Sequence, residues 1–168
     1  MIPVSRPSFT FATPVASGSV YSIAIHTQPI GQTCNVAGGS GFVGAGDVTT
    51  AIVNCTANMY AVGGTITGLV GTVVLQQSGG DSLTLNSAGT FAFPTPIASG
   101  SSYFVTVLNQ PSTPSQTCVI ASGAAGTVVS EDIASVSIAC TTNVYTVGGL
   151  ISGLAGTVTL QNLSLIHI

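Results

Sequence analysis

The chain has 168 residues, 45% of them hydrophobic and only 3% charged, with a single Arg (Arg6), no Lys and a net charge of −3. That hydrophobic content can build a core, but charge is far below the roughly 25% of an ordinary soluble domain, and Ser, Thr, Gly, Asn and Gln take its place. One Arg cannot neutralise phosphates, which excludes a nucleic-acid binder, and the lack of any apolar run of about 18 residues excludes a transmembrane helix and membrane insertion through one.

Read in chain order, the apolar residues recur with period two, the mark of half-buried strands. Tyr21, Ile23 and Ile25 form one face, with Ser22, Ala24 and His26 opposite. Gly38 to Gly46 reads as a flexible hairpin, and Asp47 as a turn residue before the next strand. Val73 and Leu75 alternate with polar or variable neighbours, and Leu83 and Leu85 with Ser82, Thr84 and Asn86. Phe91 and Phe93 flank Ala92; Tyr103, Val105 and Val107 share a face; Val136, Ile138 and Cys140 close the series. Turn signals separate these runs at Gly79-Gly80-Asp81, Ser87-Ala88-Gly89, Ser99-Gly100, Pro111 to Pro114 and Ser122-Gly123. No helical spacing persists for two turns.

The runs belong to an internal repeat. Phe9-Thr10-Phe11 through Ser17-Gly18-Ser19 returns as Phe91-Ala92-Phe93 through Ser99-Gly100-Ser101. Tyr21 maps to Tyr103, Gln32-Thr33-Cys34 to Gln116-Thr117-Cys118, and Cys55 to Cys140. Tyr60-Ala61-Val62-Gly63-Gly64 returns as Tyr145-Thr146-Val147-Gly148-Gly149, and Gly71 to Gln76 as Gly156 to Gln161. The expected organisation is a partial repeat over 1–59, a complete one over 60–143, the start of a third over 144–162 and a tail over 163–168. The array is expected to be cut at both ends. Leu163-Ser164-Leu165-Ile166-His167-Ile168 resembles translated sequencing-adapter read-through and is set aside from fold reasoning.

About seven short strands in about 84 residues, joined by short connections, predict an all-β fold of tandem antiparallel β-sandwich units. Gly89-x-Phe91-x-Phe93, then Gly100 and Tyr103-x-Val105-x-Val107, also resembles the carboxypeptidase-regulatory-like, prealbumin-type and Ig-like sandwich repeats of large bacterial secreted or surface proteins. The resemblance implies a seven-stranded sandwich in a spacer or adhesive role, and it carries no catalytic residues to transfer.

Four cysteines permit three pairings. Repeat logic prefers Cys34 with Cys55 and Cys118 with Cys140, each pair inside its own unit. Such loops stabilise by roughly 3 kcal/mol on a chain-entropy argument and imply an oxidising compartment, hence a secreted or cell-surface protein. The alternative is buried free thiols. Zinc is disfavoured, because the cysteines lack the close Cys-x-x-Cys spacing of its sites.

Residues for chemistry are few. The counterpart of His26 in the complete unit is Leu108, so His26 reads as a solvent-facing strand residue. The carboxylates are Asp47, Asp81, Glu131 and Asp132. Glu131-Asp132 falls short of the six to eight oxygens of a calcium site, and Gly46 stands where Glu131 would recur, so a turn is preferred. No nucleophile elbow with a usable His occurs, and the Gly-rich stretch lacks the Lys of a phosphate loop. No catalytic residue, metal ligand or cofactor is assigned. The tyrosines are expected to be packed. Phe104, whose counterpart is Ser22, and Leu108 form a candidate contact surface on an outer face. The favoured function is a structural or adhesive module whose partners are neighbouring repeats, with any glycan or protein ligand unidentified. The alternative is a carbohydrate- or polymer-binding accessory module of a secreted enzyme.

Overall fold

The computed structural model describes residues 8–162; both Met1–Pro7 and the adapter-like tail Leu163–Ile168 lie outside the described residues. Over residues 8–59 four strands form: β1 (Val20–Ser22), β2 (Gln32–Ala37), β3 (Ser40–Phe42) and β4 (Ile52–Ala57). β1 pairs with β3 and β2 with β4, both antiparallel. After Asn58 come β5 (Met59–Tyr60), β6 (Val62–Thr67), β7 (Val73–Gln77), β8 (Asp81–Leu85), β9 (Gly89–Ala92) and β10 (Ile97–Ala98). The series ends with β11 (Ser102–Asn109), β12 (Gln116–Ser122), β13 (Ala125–Thr127) and β14 (Ile133–Thr142). The fold is all-β, with no helix among the described residues.

Two four-stranded sheets are built from the central segment, in the orders β13-β11-β7-β8 and β12-β14-β6-β9, and β5 with β10 makes a short ribbon. Strand alternation sorts the side chains. On β7, Val73 and Leu75 are buried while Val74 and Gln76 are half-buried; on β11, Tyr103 and Val105 are buried while Phe104 and Thr106 face solvent. One core results, with Val62, Ile66, Val136 and Ile138 from one sheet meeting Val73, Leu75, Tyr103 and Val105 from the other. Phe91 and Phe93 join it edge to face, their ring centroids 6.1 Å apart. Each such aliphatic or aromatic side chain stabilises by about 1.5–3 kcal/mol when removed from water.

Antiparallel pairing does not hold throughout. β14 runs parallel to β6, with Ile133 opposite Val62 and Ala139 opposite Thr67. Short connections impose antiparallel pairing only on strands that follow one another closely, and these are the first and last long strands of the segment. The repeated Gly-Gly is what admits β6 between its neighbours. A Cβ on Gly64 would collide with the Val136 backbone on β14, and one on Gly63 with the Phe91 backbone on β9.

Three further features differ from a simple reading of the sequence. The two sheets hold eight strands where about seven were expected, because β13, just after the Ser122-Gly123 turn, adds to the edge of β11; a Cβ on Gly126 there would meet the Tyr103 ring. His26 is exposed but sits in a bend after β1 and not on a strand. Over 144–162 no strand forms, and Val147, Leu150 and Leu160 are exposed although Val62 and Leu75, the counterparts of the first and last, are fully buried. A strand forms where neighbours complete its ladder and cover its apolar face; β6 has β14 and β9 on its two sides, and no described strand flanks 144–162.

Candidate interaction surface

Each disulfide links directly opposed residues of adjacent strands. Cys34–Cys55 joins β2 to β4, and Cys118–Cys140 joins β12 to β14. All four sulfurs are thereby used within their own segments, where the strand ladders already hold the residues face to face.

Where residues 8–59 meet 60–143, a single residue, Asn58, separates β4 from β5. Its backbone N–H donates to the Gly31 carbonyl (2.8 Å), and its Oδ1 accepts from the Thr33 hydroxyl (2.7 Å). Its carbonyl accepts from the Ser99 N–H (2.8 Å), across the join. The β5–β10 ribbon continues the contact, Tyr60 opposite Ile97 and Met59 opposite Ala98. Ser99 Oγ in turn donates to the Val129 carbonyl, tying two loops of the central segment together above Gly31. Gly31 is buried beneath them.

The same bonds recur one repeat later. The Asn143 N–H donates to the Ser115 carbonyl (2.9 Å), and Asn143 Oδ1 accepts from the Thr117 hydroxyl (2.8 Å). Here Ser115 replaces Gly31, and its Oγ lies between Asn143 Nδ2 (2.9 Å) and the Tyr145 hydroxyl (3.0 Å). Tyr145 is 75% exposed, which corrects the expectation that all the tyrosines pack. Its counterpart Tyr60 is covered in part by the β10 ribbon.

The carboxylates serve the backbone. Asp132 Oδ1 accepts from the Ala61 N–H (2.8 Å), and Asp81 Oδ2 from the Thr95 N–H (3.1 Å). Asp132 also borders a shallow depression of ≈ 250 Å³ whose other walls include Gly63, Gly64, Phe91 and Ile133, a lining of backbone and apolar atoms. Phe104 and Leu108 are 47% and 49% exposed, on the outward alternation of β11 to either side of Thr106. The β11–β7 register shifts between Val107 and Asn109, so Leu108 stands at a bulge.

No family model, curated protein or solved structure matches this chain. Sequence reasoning passed over the polar residues of this surface: Asn58 and Asn143 at the joins, and the Gln-Pro pairs Gln28-Pro29 and Gln110-Pro111. All recur in the repeat, and that recurrence was the available signal. Gln116, also recurrent as Gln32, is buried and fully engaged: Oε1 accepts from the Val70 N–H, and Nε2 donates to the Gly68 carbonyl and to Thr142 Oγ1.

Proposed function

We propose that the chain is a non-catalytic structural or adhesive module, a stalk or spacer, of a secreted or cell-surface bacterial protein, built from tandem β-sandwich units of the Ig-like or prealbumin kind. The observation that carries this reading is the recurrence of one hydrogen-bond set, Thr33 with Asn58 and Thr117 with Asn143, at successive joins. These bonds hold the last residue of each segment to its own body, so the chain leaves each unit from the same fixed point, as a chain built for reach requires. The two disulfides favour an oxidising compartment. The carboxylates Asp81 and Asp132 hold backbone amides, a structural use for two of the few groups able to move protons. Phe104 and Leu108 supply a lateral apolar surface for a neighbouring module.

A glycan array probed with the full chain tests the reading. The spacer predicts no capture above background at micromolar chain. Saturable capture of a defined glycan would replace it with the accessory binding module.

A further inference from the structure

We infer that Gly31 is the seat of a fixed head-to-tail joint, and that its partner is the Ser99–Val129 loop pair of the following unit. Three observations carry this. The tether between the two segments is one residue long, so little freedom remains once Asn58 has bonded Gly31, Thr33 and Ser99. Gly31 is buried with φ +72°, and a Cβ there would collide with the Ser99 side chain and stand 2.6 Å from the Val129 carbonyl oxygen, so only a bare backbone admits the loop pair.

The third observation is that the loop pair is built before it docks. Its counterpart in residues 8–59 is exposed, yet it has the same bonds. Ser17 Oγ donates to the Gly44 carbonyl as Ser99 Oγ does to Val129. The Gly18 N–H donates to the Val43 carbonyl at 2.7 Å, and that of Gly100 to Val128 at 2.7 Å. Docking a preformed loop loses little conformational freedom, so a few backbone bonds and one close contact suffice to hold it. Because the join is intramolecular, the loop pair also meets its seat at high effective concentration.

Position 31 thus decides how tightly consecutive units close. At the next join its equivalent is Ser115, whose side chain fills the space that Gly31 leaves open and is held there by Asn143 and Tyr145. The join after residue 143 cannot copy the Gly31 geometry. The two positions therefore differ: Gly31 leaves room for a close loop pair, and Ser115 does not.

This inference takes its purpose from the spacer reading but not its geometry, and the two fail separately: glycan capture would end the spacer and leave the joint untouched. The test is amide hydrogen exchange by NMR on the full oxidised chain. In the wild type the Ser99 amide, bonded to Asn58 across the join, is protected. In Gly31→Ser its exchange accelerates by roughly tenfold or more while the core amide of Ile138 keeps its protection, as expected of a local opening. Gly79→Ser is the control for backbone strain, because Gly79 has the same φ of +72° with nothing within 4 Å, and it leaves Ser99 protected. Relaxation in the wild type needs no variant: amides of Thr33 and Val53 must report the same tumbling time as those of Cys118 and Ile138. An unprotected Ser99 amide in the wild type, unchanged exchange in Gly31→Ser, or two separate tumbling times would each overturn the joint.

Discussion

The Gln110 side chain is bonded twice to the backbone of Cys118: Nε2 donates to the Cys118 carbonyl (2.9 Å), and Oε1 accepts from the Cys118 N–H (2.7 Å). Gln28 does the same for Cys34, at 3.0 and 2.8 Å. A primary amide presents one donor and one acceptor side by side, as a neighbouring strand would. β12 is the edge of its sheet, so Gln110 occupies the backbone groups of the edge that would otherwise accept a foreign strand.

Replacing Gln110 with Ala leaves both groups of Cys118 without their partner. Since the bonds are partly buried, the loss in unfolding free energy is expected to be about 1–2 kcal/mol. Denaturant titration of the oxidised chain measures it, and a loss below about 0.3 kcal/mol would show that water serves the edge equally well. Glu at the same position keeps the acceptor and sets a carboxylate oxygen against the Cys118 carbonyl, so Gln110→Glu is expected to be no better than Ala.

Phe93 is 2% exposed in the shared core. Truncation to Ala removes a whole ring from between two sheets, each held by its own strand ladder and one also by the Cys118–Cys140 bond, and so the surroundings collapse poorly around a void. The expected loss is about 3–5 kcal/mol, read from thermal or chemical unfolding. Thr95, two positions on and exposed, is the comparison: Thr95→Ala should change stability by less than about 0.5 kcal/mol.

How much of this was legible beforehand depended on which interactions were local. Period-two alternation exposed the faces of β7, β11 and β14, because a side chain's inward or outward direction follows from its place along the strand. Recurrence of Cys34 and Cys55 at Cys118 and Cys140 was enough to pair the sulfurs, since each pair is a cross-strand neighbour in its own segment. The parallel contact of β6 with β14 was not legible, because nothing between Thr67 and Ile133 encodes which edge the last strand will take. Nor was the joint. Nothing in the sequence distinguishes Gly31 from a loop glycine, and only the Ser99 and Val129 loops packed on it reveal what its missing side chain permits.

Non-reducing peptide mapping should recover a Cys34–Cys55 link and a Cys118–Cys140 link. Trypsin is unsuited, since Arg6 precedes Pro7 and no Lys exists, so pepsin is the enzyme of choice. A Cys55–Cys118 link would contradict the strand pairing itself, because it requires β4 and β12 to approach across two units.

The parallel pair makes a mechanical prediction. β6 starts at Val62 and β14 ends at Thr142. Tension on the chain therefore draws these two strands in opposite directions along a common axis. Their hydrogen bonds, from Ile133–Val62 to Ala139–Thr67, are loaded together in shear and do not peel one by one. Once they yield, the Cys118–Cys140 bond still closes a stretch with sequence separation 22. At roughly 3.3–3.6 Å per extended residue, that stretch hides about 75 Å of contour length. In single-molecule pulling, the unfolding step of the central segment should lengthen by about 75 Å when the chain is reduced or when both cysteines are replaced by Ala. The rupture force in the oxidised chain should exceed that of a Gly64→Val variant, in which the β6–β14 contact cannot close. Equal step lengths would show that the bond does not bear the load, and equal forces that the parallel pair does not.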